Sequence, residues 1–118
     1  MREILFRGKR VDNGEWVEGL VARIGEMGIS NIVEKQFDIL VPVKTETVGQ
    51  YTGLTDKNGK KIFEGDVVSN KVFKSKVEFT NGYFYPFSQS DVCVFYNDEC
   101  EALGNIFDNP KLLEASEC

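Results

Sequence analysis

At 118 residues, 42% hydrophobic and 28% charged, this chain has the size and composition of one globular domain, which argues against wholesale disorder. Fourteen basic against nineteen acidic residues give a net charge of −5, a balance that disfavours a general nucleic-acid binder. There is no histidine, which excludes Ser-His-Asp triads, histidine general bases and histidine metal sites.

In chain order, the start Met1–Arg10 is charged throughout and lacks the apolar core of an export signal. No later run approaches the length of a membrane-spanning helix. Runs 4–11 and 15–24 flank Asn13-Gly14, which predicts a hairpin with a two-residue type I′ turn. In 16–24, Trp16, Leu20, Ala22 and Ile24 fall on one face of the predicted strand, with Glu18 the outlier. Residues 25–38 stay unassigned: Ile29, Ile32, Val33 and Phe37 lie near helical spacing, but the glycines argue for a loop. Ile39–Val43 is a continuous apolar run, as in a strand covered on both sides, with Pro42 placing it at an edge or bulge. Residues 45–50 have room for one turn of helix.

The second half is richer in rings: ten of the fourteen aromatics follow residue 62. Asn58-Gly59 predicts a hairpin between 50–54 and 61–68, and Asn81-Gly82 another between 76–79 and 83–87. In 72–79, Phe73, Val77 and Phe79 alternate with Lys74, Lys76 and Glu78, the pattern of a half-buried strand. Val92–Tyr96 reads as a covered strand, and Pro86 marks a strand edge or bulge. Asn109 before Pro110 predicts a short helical turn pinned by Leu112 and Leu113. The expected fold is mainly β. An SH3-like small barrel occupies 46–118 with a C-terminal helical turn, and an N-terminal β-hairpin region, 1–45, packs on it as one compact unit.

The residues that could carry chemistry read mostly as architecture. Cys93 sits in an apolar run and reads as core, while Cys100 and Cys118 lie among acidic residues that raise a thiol pKa. An odd count without a CxxC pair fits a reducing cytoplasm. Asp56-x-Asn58-Gly59 opens like a calcium loop, but Val67 stands where the bidentate glutamate belongs, so turn chemistry explains it. Glu64 and Asp66 flank Gly65 as turn carboxylates, and Asp98, Glu99 and Glu101 read as an exposed loop. The glycines at 49, 53 and 65 match no phosphate loop or dinucleotide fingerprint. No catalytic residue, cofactor or metal site is expected. Lys71, Lys74 and Lys76, with Lys60 and Lys61 nearby, are the chain's one basic concentration. Beside the aromatics they form a candidate nucleic-acid surface, weighed against an ordinary solvated strand face.

The stretch Glu46-Thr-Val-Gly-Gln-Tyr-Thr-Gly-Leu-Thr-Asp-Lys-Asn-Gly-Lys60, followed by Lys61-Ile-Phe-Glu-Gly-Asp-Val-Val68, resembles the signature of the YopX family of phage and prophage proteins. Phe63 and Val67 stand where that pattern has tyrosine and isoleucine. The opening 4–20, with Trp16-Val-Glu-Gly19, and the ending Leu103-Gly-Asn-Ile-Phe-Asp-Asn-Pro-Lys-Leu-Leu113 resemble the family's two ends, whereas 25–44 departs from it. The resemblance implies a mainly β fold with an SH3-like barrel, acting in the bacterial cytoplasm, with no activity, substrate or cofactor attached. In the signature, Gly49, Gly53, Gly59 and Gly65 read as turns, Val48, Tyr51, Leu54, Ile62, Phe63, Val67 and Val68 as core, and Asp66 as a binder of turn amides. The competing reading makes Gln50, Tyr51 and Thr52 a recognition surface.

The expected function is a non-catalytic interaction or assembly module. The alternative is a nucleic-acid-binding accessory protein using the lysines of 71–76. Adjacent rings such as Tyr83-Phe84-Tyr85 cannot all face one core, so the expected partner is a second copy of the chain, or another phage or host protein, and not a membrane.

Overall fold

A computed structural model of the chain describes residues 4–25, 27–70, 74–80, 82–87 and 100–112. These residues form a mainly β protein of antiparallel strands and turns. Residue contacts divide it into two units, Met1–Tyr51 and Thr52–Cys118, with the division falling inside a strand.

The first unit holds β1 (Phe6–Lys9), β2 (Trp16–Arg23), β3 (Ile29–Glu34), β4 (Leu40–Lys44), a 3-10 turn (Thr45–Thr47) and the first half of β5 (Gly49–Thr55). The strand order is β4-β3-β2-β1-β5. The sheet curls until the end of β1 meets β4: Arg10 bridges Val43, and the Val11 amide donates to the Pro42 carbonyl at 3.1 Å. Val17, Ile32, Val41 and Val43 fill the concave side, with Val21 and Val48 against them. Curling this tightly needs small residues inside. A Cβ on Gly8 would stand 3.0 Å from Val43 Cβ, and one on Gly19 would collide with the Val33 carbonyl oxygen.

That geometry corrects two expectations. On β2 the buried face is Val17 and Gly19, while Leu20, Ala22 and Ile24 are exposed. The larger residues face outward because the tight inner side of the curl has no room for them. β4 is not covered on both sides. It alternates strictly, with Val41 and Val43 inward and Leu40, Pro42 and Lys44 outward, and it lies at the sheet edge that Pro42 called for. The unassigned 25–38 supplies β3 and its hairpin with β4, and the expected turn after residue 44 is the 3-10 turn.

The Asn-Gly hairpins form, but the first two close by turns other than the two-residue type I′. Arg10 pairs with Glu15 across a four-residue loop, and Asp56 with Lys60 across a three-residue one. In both, glycine alone takes the left-handed conformation, Gly14 at φ 75° and Gly59 at 81°. Asn13 instead uses its side chain, accepting the Glu15 amide at 2.9 Å. Gly82, at φ 85°, lies in the two-residue turn between Thr80 and Tyr83; Asn81 lies outside the described residues.

The second unit continues from β5 to its neighbour β6 (Lys61–Phe63), then β7 (Asp66–Ser69), β8 (Lys74–Lys76), β9 (Glu78–Thr80), β10 (Tyr83–Tyr85) and β11 (Glu101–Asn105). One sheet runs β11-β7-β8 and another β10-β9. Ile62, Val68, Val77, Phe84 and Cys100 form the core, joined by Leu54, Phe87 and Ala102. Among the described residues these sheets do not close into the expected barrel. The single strand expected over 72–79 is two, because Val77 leaves the line. Its amide donates to the Asp66 carbonyl and its carbonyl accepts from Gly65, both at 2.8 Å, which turns its side chain inward. Phe79 therefore does not share Val77's buried face. It is 54% exposed and packs edge-on against Phe84 in the following hairpin. Near the end, Asn109 and Leu112 form one hydrogen-bonded turn rather than a described helix. Cys93, Cys118, Lys71, Phe73 and the Val92–Tyr96 run lie outside the described residues.

Candidate functional site

The polar residues of the 46–68 signature hold the second unit together. Asp56, 5% exposed, ends β5. One carboxylate oxygen accepts the amides of Asn58 at 2.9 Å and Lys60 at 3.0 Å, and the other accepts the amide of Ala102 on β11 at 2.9 Å. The Lys57 amide donates to the Cys100 carbonyl beside it. Burial acts to raise the Asp56 pKa, but the three amides and the Lys60 charge outweigh it and hold the carboxyl below its ordinary range. Asp66 accepts the Phe63 amide at 2.8 Å and so clamps the turn at Gly65, where φ is 93°. That is the role expected of it as a binder of turn amides.

The Gln50-Tyr51-Thr52 surface is mostly interior. Tyr51 is buried, and its amide donates to the Leu5 carbonyl at 2.8 Å. Thr52 is buried too, its hydroxyl donating to the Ile62 carbonyl at 2.8 Å and accepting the Leu54 amide at 3.1 Å. Gln50, opposite Phe6 of β1, is half-buried. With two of its three residues enclosed, this segment belongs with the architectural reading of the motif.

Of the lysine candidates, Lys74 and Lys76 share one face of β8, and both are engaged. The Lys74 ammonium donates to the Leu112 carbonyl at 3.3 Å, and Lys76 pairs with Glu78 at 3.3 Å. Glu64 is half-buried in the Gly65 turn. Near the C-terminal end, buried Asn105 accepts the amides of Phe107 at 3.0 Å and Asp108 at 2.9 Å through its side chain. Its own amide reaches the Asn109 side chain at 3.4 Å. A Cβ on Gly104 would strike Asn109 Oδ1, so that side chain would have to give way. Cys100, which the sequence sets among acidic residues, is fully buried.

Sequence reasoning missed a stack in the first unit. The Arg7 guanidinium lies 4.5 Å from the Trp16 ring centroid, and the Lys9 ammonium 5.9 Å from it. A two-residue Asn13-Gly14 turn would set Lys9 opposite Glu18. The four-residue loop slides the register by two and sets Lys9 opposite Trp16, so the signal was the loop length. Beside Trp16 lies a depression of about 340 Å3 lined by Arg10, Glu18, Glu34, Lys35 and Phe37. Most of its charges are paired locally: Arg10 with Asp12 at 2.9 Å, Lys35 with Glu18 at 3.1 Å, and Glu34 with the Gln36 and Phe37 amides. Among the described residues, no helix is long and apolar enough to cross a membrane.

An antiparallel, mainly β protein whose signature polar residues serve its turns is thus the class defined by fold and site. Residues 5–114 match the family described as YopX protein, and the chain belongs to that family. Among solved structures it is similar to the crystal structure of protein EF1440 from Enterococcus faecalis. That likeness has a TM-score of 0.57 at 22% identity, covering 96% of this chain and 99% of that one. It is a likeness of fold alone. No curated protein matches the chain.

Proposed function

We propose that this protein is a phage- or prophage-encoded module without catalytic activity, acting in the bacterial cytoplasm through protein interaction or assembly. The observation that carries this reading is how the signature's polar groups are used. Asp56, Asp66 and Thr52 are buried and bonded to backbone, while large apolar side chains such as Leu20, Leu40 and Phe37 face solvent. Groups spent on turns are poorly placed for chemistry, and exposed apolar area suits a partner. At the level of fold, the reading keeps an SH3-like barrel for the second unit, supported by its short strands and by the Gly65-Asp66 turn that feeds β7.

Nucleic-acid binding is the second reading. It is favoured by Lys74 and Lys76 on one strand face and opposed by the net charge of −5. Affinity capture from phage-infected host lysate, with and without nuclease, separates the two. A protein partner retained after nuclease and at high salt supports the module. Recovery of nucleic acid alone, weakening steeply with salt and lost when Lys71, Lys74 and Lys76 are changed to Glu, overturns it.

A further inference from the structure

The convex face of the first unit is apolar where a solvated sheet face is ordinarily polar. Register lines up Leu20 of β2, Val33 of β3 and Leu40 of β4 across three adjacent strands. Two rows along, Ile29 occupies the same face opposite Lys44, and Pro42 and Asn31 lie between. Leu20 is 55% exposed, Leu40 60% and Ile29 46%, and Ile24 and Met27 at the β2–β3 turn are more exposed still. None of these side chains takes part in the core, whose members on the same strands are Val17, Ile32, Val41 and Val43.

We infer that this face is a self-association surface and that its occupant is the same face of a second copy. The argument rests on charge and on area. Seven basic against eight acidic residues leave the first unit at only −1 of the chain's −5, so two such faces approach with little repulsion. The rim is self-complementary. The Glu18–Lys35 pair bounds one end of the apolar rows and Lys44, opposite Ile29, the other, while Arg23 lies in the row of Asn31 and Pro42 between them. A two-fold axis that runs the strands of the copies antiparallel sets the Glu18 end of each against the Lys44 end of the other.

Five aliphatic side chains exposed at this level offer roughly 300–400 Å2 of apolar area per copy. With apolar atoms supplying about 60% of an interface, the full contact is about 1,000–1,300 Å2 for the pair, near the lower bound for a specific complex. At this size the expected complex is a weak, reversible dimer that forms at micromolar concentration. The inference deepens the interaction-module reading and rests on it, naming the partner.

Sedimentation of the purified full chain from low to high micromolar concentration tests it. The wild type is expected to pass from monomer to dimer with concentration. Leu20→Lys and Leu40→Lys each place an unpaired charge in the contact and are expected to weaken the dimer by about 100-fold or more. Tyr85→Lys, on the other unit, is expected to leave association unchanged. Unaltered circular dichroism and melting show that the lysine variants remain folded, and Leu40→Ser serves should one of them melt early. A wild type that stays monomeric, or a dimer that survives both lysine substitutions, overturns the inference. If the lysate capture nonetheless returns a protein partner, the module reading stands without this surface.

Discussion

Asp56 ties together distant parts of the second unit, since its two oxygens serve both a hairpin loop and a distant strand. Asp56→Ala removes the acceptor for three amides and is expected to cost about 2–4 kcal/mol in chemical denaturation. The same geometry sets an acid limit. The folded carboxyl titrates below the ordinary value of 3.8, so below about pH 5 the unfolded chain binds the extra proton first. The stability that Asp56 contributes is complete above the unfolded pKa and is lost as pH falls toward the folded one. Denaturation midpoints for the wild type should therefore drop between about pH 5 and pH 3, with Asp56→Asn flattening that limb. An unchanged slope in Asp56→Asn would assign the acid sensitivity to other carboxylates.

Among the elements, β2 separates what a chain pattern can reveal from what it cannot. Its existence was legible, since β-branched and aromatic residues run between turn glycines. The side facing the core was not. Hydrophobicity pointed to Trp16, Leu20 and Ile24, whereas the curl of the sheet admits Val17 and Gly19, and that curl brings Arg10, just after β1, to bridge Val43 of β4, far away in the chain. β3 was hidden for a related reason: Gly25 and Gly28 resemble loop punctuation, although Gly28 only supplies a left-handed turn at φ 79°. The signature turns were easier, because Asp56 and Asp66 act on amides within four residues of themselves, and only the Ala102 contact lay out of reach. The face assignment yields a contrast. Ile32→Ala empties a fully buried position and is expected to cost about 2–5 kcal/mol. Leu20→Ala, measured at low micromolar concentration where the chain is monomeric, should cost no more than about 0.5 kcal/mol. Equal losses would restore the face that hydrophobicity alone indicated.

At the scale of the whole molecule, β5 links the two units by contributing to both. Its first residues pair with β1, as Gln50 does with Phe6 and Gly49 with Arg7, and its later residues neighbour β6. Unfolding either unit removes ladder partners from this one strand, so the units should lose structure together. The chain has a separate reporter for each. Trp16, its single tryptophan, lies in the first unit under the Arg7 guanidinium, and Cys100 is fully buried in the core of the second. In a Cys93→Ser/Cys118→Ser background, Cys100 should react with a thiol reagent only as the second unit opens, and slowly without denaturant. Tryptophan fluorescence and Cys100 labelling followed through the same urea series are then expected to give coincident midpoints. Labelling that runs ahead of the fluorescence change would mean that the second unit opens while β1 to β4 remain folded, and β5 would then be a covalent link without cooperative consequence.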